Sequence, residues 1–358
     1  MKLFALLMCA TFSTALLADT GALLDQAAGL KAGDAKGWTV VRESVLEQGE
    51  SALPTLRAAG AAENWNREGW QRAMAAEALR LRIEKPEWAA VCDNPEGIQP
   101  AVYKQFKRAR PFCVRDLENL GKDATPLLLE QWFFLLETRE FTPGEAGKLE
   151  REALAHALLY VPGFHADARA RFAMQLALTD KALPDVWRQT AAVSFARCGG
   201  ADALEPLCAF FDDAANALLV REACGWAIGH IAGMDAANAL KARLSDEAII
   251  AGAVGGNLRR GLLTGVSNLG SSWGWKSRGT DKADLALQVR QACAEIAIQA
   301  LRDMPAEVEL ISRALNMTAW KSSLATVTEL AADTNATAET RAAATKCLET
   351  LGDAIKNG

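Results

Sequence analysis

The chain has 358 residues, half of them hydrophobic, and a formal charge of −5. That acidic balance excludes a protein whose overall field gathers nucleic acid, and a length of this size suits either two ordinary domains or one continuous repeat array. With three histidines and neither an H-E-x-x-H nor a Cys-x-x-Cys string, the common zinc sites are excluded too, so no metal and no cofactor is expected.

Residues 1–18 read as a signal peptide. Lys2 supplies a positive charge, Leu3 to Leu17 is almost continuously apolar, and Ser13, Ala15 and Ala18 offer small residues for cleavage. The expectation is export, to a periplasm or beyond. Leu6-Leu7-Met8-Cys9 has the outline of a lipidation site, but Met8 is bulky where a small residue is needed. No later run approaches the ~20 apolar residues of a membrane helix, so no integral membrane segment is expected after cleavage.

Residues 19–85 read as N-terminal capping helices. Trp38–Gln48 and Ala52–Ala59 form a hairpin broken at Gly49, and a strong helix runs from Arg67 to Ile83 before Pro86. Residues 86–126 break the rhythm as an irregular insertion carrying Pro86, Pro95, Pro100 and Pro111. Within it, Cys92 and Cys113 either oxidise to a disulfide in an oxidising compartment, contributing about 3 kcal/mol by loop closure, or stay as two unpaired buried thiols. Lys107, Arg108 and Arg110 lie among Tyr103, Phe106 and Phe112. They are either a cationic patch for an anionic partner or a solvated helix face with the aromatics turned inward.

Helices resume over 127–263. Thr142-Pro143-Gly144-Glu145 has the form of a capping box with Pro at the first helical position. One pattern is then written twice. Trp187-Arg188-Gln189-Thr190-Ala191-Ala192 leads to Phe195 and Gly199, and Val220-Arg221-Glu222-Ala223-Cys224-Gly225 leads to Ile228 and Gly233, with Arg188 and Arg221 33 residues apart. Such a period builds stacked helical hairpins. The small residues behind each arginine share a helix face with the bulky residue at plus seven, which lets helix axes approach to roughly 8–10 Å. Gly199 and Gly233 are placed to supply a left-handed residue at the helix ends. Arg72, Arg151, Arg290 and Arg341 anchor further copies, the one at Arg290 being the best.

Residues 264–283 loosen into a Gly/Trp loop, TGVSNLGSSWGWKSRGTD up to Asp281. Trp273, Trp275, Lys276 and Arg278 are its ligand-like residues, and either they contact a partner or the loop folds back over a groove. Residues 284–358 return to repeats and end in a polar tail.

The hydrophobic-Arg-small pattern, with Asp185 before Arg188 and Asp213 before Arg221, resembles the HEAT repeat family, and within it the HEAT-like branch found in phycobilisome lyases. The resemblance implies an all-α, right-handed α-solenoid of stacked antiparallel helix hairpins, laddered by Asp and Arg, that binds other macromolecules. It therefore implies a non-catalytic interaction scaffold with a protein partner. It also leaves open a lyase-type enzyme holding a chromophore or thioether substrate in its groove.

The chemical strings in the chain weigh on the scaffold side. Gly270-Ser271-Ser272-Trp273-Gly274 spells G-x-S-x-G, but that nucleophile needs a later histidine, and His230 is the last one. Glu152 and His156 share a helix face as a solvated ion pair, too few ligands for zinc. Cys224 and Cys293 occupy the small slot, as buried hydrophobes rather than nucleophiles.

Overall fold

The computed structural model describes residues 19–95, 115–141, 143–252, 255–277 and 279–351, and it is all-helical, with no strand among the described residues. Among them no helix is long and apolar enough to cross a membrane. The expected signal peptide, Cys113, Lys107, Arg108, Arg110 and Arg278 lie outside the described residues. The contacts divide the chain into two units, residues up to 95 with 126–140 and residues 96–125 with 141 onward.

Unit 1 contains α1 (Thr20–Ala28), α2 (Ala35–Gln48), α3 (Leu53–Ala59), α4 (Trp70–Glu84) and α5 (Pro86–Asp93). Asp34 caps α2 by accepting the Gly37 N–H at 2.9 Å. Pro86 opens α5, where its missing N–H is harmless. The hairpin expected around Gly49 is present, with that glycine at φ 56° between α2 and a short 3-10 turn.

The core of this unit is built on Trp38, which is fully buried and stacks on Phe134 with centroids 4.6 Å apart. Its indole N–H donates to Glu130 Oε1 at 2.8 Å. Arg82, from α4, also holds Glu130, at 2.9 Å, and grips Asp93 with two further bonds of 2.7 and 2.8 Å. Cys92 is buried on α5.

The remaining helices are α6 (Arg115–Asn119), α7 (Thr125–Glu130), α8 (Glu145–Phe164), α9 (Arg171–Thr179), α10 (Asp185–Gly199), α11 (Leu204–Asp212), α12 (Leu218–Ile228) and α13 (Met234–Leu244). They are followed by α14 (Glu247–Ala251), α15 (Gly255–Leu269), α16 (Ser272–Ser277), α17 (Asp284–Asp303), α18 (Val308–Thr318), α19 (Ser322–Ala332) and α20 (Ala338–Thr350). In unit 2, α8, α10, α12, α15, α18 and α20 each pack on the next. The helices between them lean on this row: α9 on α10, α11 on α12, α13 on α15, α17 on α18 and α19 on α20.

Two repeated devices explain the register. Arg188 donates to the Leu178 carbonyl at 3.0 Å, Arg221 to that of Phe211 at 2.7 Å, and Arg259 to that of Ile249 at 2.9 Å. Each guanidinium thus reaches ten residues back and takes up a carbonyl left open at a helix C-terminus. The second device is a turn in which an aspartate accepts the backbone N–H two residues on. Asp180, Asp213, Asp246 and Asp333 all do this, at 2.8–2.9 Å. The first three are spaced 33 residues apart, as Arg188 and Arg221 are, whereas Arg259 follows Arg221 by 38.

Several expectations need correction. Arg290 is not an equivalent anchor: it lies on α17 and donates forward to the Thr318 carbonyl, while Arg259, between Arg221 and Arg290, makes the ten-residue reach. Arg72 pairs with Asp25, Arg151 lies over the Trp187 ring, and Arg341 bonds the Ala336 carbonyl, so these three share the sequence pattern without the ten-residue reach. Asp185 does pair with Arg188, at 3.1 Å, but Asp213 builds its turn instead of pairing with Arg221. The left-handed break after α10 falls on Gly200, at φ 54°, whereas Gly199 remains helical; Gly233, at φ 149°, precedes α13. The expected capping box lies outside the described residues at Thr142, and Pro143 is not the first helical residue, since α8 begins at Glu145 behind Gly144 at φ 88°.

The small slots behave as the pattern predicts, for Ala191, Ala192, Cys224 and Cys293 are all fully buried. Burial pushes the Cys224 and Cys293 thiols up to about 12, which keeps them protonated and poorly nucleophilic. His156 is buried rather than solvated beside Glu152, with Nδ1 3.0 Å from Thr190 Oγ1.

Burial lowers the His156 pKa to about 4. A histidine whose folded pKa lies below its unfolded value stabilises the fold above the unfolded pKa of 6.5 and loses that contribution as the pH falls toward 4. Over that window the loss amounts to at most about 3 kcal/mol. Urea unfolding at stepped pH should therefore show a decline between pH 6.5 and 4 that is distinctly shallower in His156→Leu. Parallel declines would show that this ring does not titrate with unfolding.

Candidate functional site

Unit 2 holds a groove of about 500 Å³ between α13, α17 and the start of α19. Its walls follow from helix periodicity. On α17, Cys293, Ala297 and Leu301 are buried, which turns Gln291, Glu295, Gln299 and Arg302 outward along one stripe at spacings of three and four. Asn238, Lys241 and Ser245 project from the α13 side, and Trp320, Ser322 and Thr326 close the far end.

The glutamines are held in place by their own helix. Gln291 donates to Glu295 at 2.9 Å, and Gln299 donates to both oxygens of Asp303 at 3.0 Å. Both amide oxygens remain as acceptors, and Gln291 keeps one N–H donor as well. Lys241 and Arg302 balance Glu295 and Asp303 in formal charge, so the groove has opposed charges and no net sign. No histidine or cysteine lines it. Chemically it is equipped to hydrogen-bond an amide-bearing ligand and to orient it by charge.

The residues singled out from sequence lie elsewhere. The Gly/Trp stretch is not a loop throughout: α15 continues to Leu269, because Leu262, Leu263 and Val266 are buried at helical spacing, and α16 follows. Trp273 is 73% exposed, with Lys276 exposed one turn on. Trp275, two residues later and so on the opposite side of the turn, is 6% exposed and donates its indole N–H to the Leu269 carbonyl at 2.9 Å. Trp275 is therefore a packing residue, while Trp273 is open to solvent. Among the described residues no group of three or more His, Cys, Asp or Glu side chains is placed to share a metal ion.

The groove escaped sequence reasoning even though one of its walls was visible there. The polar stripe Gln291, Glu295, Gln299 repeats every four residues and marks an exposed helix face. What the sequence did not show is that α13, some fifty residues earlier, stands beside it.

No protein-family model matches this chain, and no curated protein does.

Proposed function

We propose that this protein is an exported, HEAT-like α-solenoid that serves as a non-catalytic scaffold and binds a polypeptide segment in the α13–α17 groove. The observation that carries the reading is the groove itself, whose walls offer fixed amide acceptors and two opposed pairs of charges along a helix face. A polypeptide backbone alternates donors and acceptors without net charge, which is the complement of such a wall. The solenoid part is supported by the row of helices that each pack on the next, by the shared ten-residue reach of Arg188, Arg221 and Arg259, and by the turns of Asp180, Asp213 and Asp246, 33 residues apart. Export accords with the leader-like composition of residues 1–18.

The test is photo-crosslinking in the native host. A crosslinker at Gln299 is expected to capture one polypeptide reproducibly, while the same group at Val40, which is exposed in unit 1, does not. Reversing charge in the groove with K241E and R302E should reduce that adduct by more than about tenfold, if each lost charged contact is worth roughly 1.5–3 kcal/mol. Equal yield from the charge-reversed protein, or identical adducts from both crosslinker positions, would overturn the assignment.

A further inference from the structure

Arg290 is no repeat anchor, and its contacts give it another task. It donates to the Thr318 carbonyl from Nε at 3.0 Å and from Nη2 at 2.9 Å, and from Nη2 also to the Ala319 carbonyl at 3.4 Å. Both carbonyls are left open at the C-terminus of α18. Ala319 stands at φ 47°, a left-handed conformation that is costly for a residue with a Cβ and that glycine usually supplies. Such strain persists where the surrounding structure holds it, and it gathers at ligand clamps. Here the Arg290 fork does the holding.

The next residue is Trp320, which the turn delivers half-buried to the end of the α13–α17 groove. The Arg290 guanidinium also lies over its ring, with Cζ 6.0 Å from the centroid. One arginine therefore fixes both the backbone just before the indole and the indole itself. On the α19 side of the groove, Trp320, Ser322 and Thr326 are uncharged, whereas Lys241, Glu295, Arg302 and Asp303 come from α13 and α17. Trp320 is the large apolar side chain of that uncharged side.

We propose that Trp320 anchors the bound polypeptide segment by taking one uncharged, apolar side chain of it against the indole, and that Arg290 is the positioning residue that presents the ring. This assignment rests on the polypeptide reading of the groove and adds to it one chemical feature of the partner. A tryptophan offers a large contact area with few torsions to freeze, which is why such rings dominate the energetics of interfaces. A lysine or arginine of the segment would bring a second cation to a ring that already bears Arg290, and a carboxylate would meet the negative face of the indole.

The experiment uses the full chain and a labelled synthetic peptide carrying the sequence captured by the crosslinker at Gln299, with Kd read from fluorescence anisotropy. Trp320→Ala should raise Kd more than about tenfold, while Trp273→Ala, at an exposed tryptophan that does not line the groove, should change it less than about twofold. Alanine replacements along the peptide should find one apolar residue whose loss costs about tenfold against wild type and under about twofold against Trp320→Ala, the coupling of two side chains in contact. Arg290→Gln should raise Kd with Trp320 present and leave it unchanged in the Trp320→Ala background. Thermal melts accompany each variant, and if Trp320→Ala does not fold, Trp320→Leu takes its place with the same coupling expected.

The outcomes separate the two readings. If Gln299 captures no polypeptide, the groove reading falls and the anchor with it. If a polypeptide is captured and its peptide binds Trp320→Ala as tightly as wild type, or if the residue coupled to Trp320 is charged, the groove reading stands and the anchor is overturned. If Arg290→Gln weakens binding equally in both backgrounds, Arg290 supports the fold and does not position Trp320.

Discussion

Replacing Arg82 by methionine is expected to destabilise unit 1 by about 3–5 kcal/mol at pH 8, the usual cost of removing one partner from a buried ion pair. Arg82 is 7% exposed in its side chain and Glu130 is fully buried, so solvent does little to screen what is left behind. Methionine fills most of the volume but offers no donor. Glu130 would retain only the indole N–H of Trp38, and Asp93 only the amide of Gln131.

The pH dependence of that loss gives the prediction its sign. Burial pushes the Glu130 carboxyl up even with Arg82 in place, and without the arginine the push is unopposed. A carboxyl whose folded pKa is raised favours folding below its ordinary range and opposes it as the pH climbs through the raised value. Arg82→Met should therefore lie closer to wild type at pH 5 than at pH 8. Glu130→Gln, which can still accept from both neighbours and introduces no unpaired charge, should lose less than Arg82→Met at pH 8. Equilibrium urea unfolding of the three proteins checks this, and a difference below about 1 kcal/mol between Arg82→Met and wild type at pH 8 would show that the network adds little.

How much of this was legible in the residues differs between the two units. In unit 2 the arginine-and-small pattern marked α10 and α12 correctly, because those arginines serve a local purpose, reaching a carbonyl ten residues back. Arg259 was passed over because Leu262 and Leu263 fill slots where the pattern expects small residues, and the small residues moved to Gly261 and Gly265. Arg290 looked right for the opposite reason: Ala292, Cys293 and Ala294 match the template letter by letter, yet α17 belongs with the helices that lean on the row. The second signal at the 33-residue period, Asp180, Asp213 and Asp246, was present in the letters and needed only to be counted. The network of unit 1 was not legible at all. Trp38, Arg82, Asp93 and Glu130 come from four separate segments, and no local spacing announces that they meet. The groove is an intermediate case, since the α17 wall is periodic and its pairing with α13 is a tertiary fact.

The glycines that replaced the missing small residues carry the other large effect. Gly225 and Gly229, at the end of α12, face Gly261 and Gly265 on α15, and the backbones touch. A Cβ on Gly261 would press into the Glu222 carbonyl oxygen, and one on Gly265 would come within 2.5 Å of the Gly225 carbonyl oxygen. Both obstacles are backbone atoms of a packed helix, which cannot swing aside as a side-chain tip can. In an exposed helix, Gly→Ala would add up to about 1 kcal/mol of stability. Here the clash should dominate, and Gly261→Ala and Gly265→Ala should each cost about 1–3 kcal/mol or more.

Gly256 supplies the internal control. It lies on the same helix, and a Cβ there would meet nothing closer than Arg259 Nη2 at 3.7 Å, so Gly256→Ala should be neutral or slightly stabilising. Because α13 packs on α15 and forms one wall of the groove, forcing α12 and α15 apart should also disturb the groove, lowering the Gln299 crosslink in Gly265→Ala but not in Gly256→Ala. The two alanines at 261 and 265 lie one turn apart on one seam, so their combined cost should depart from the sum of the single ones. If urea unfolding places Gly261→Ala and Gly256→Ala at the same stability, the seam is not where the spacing of these helices is set.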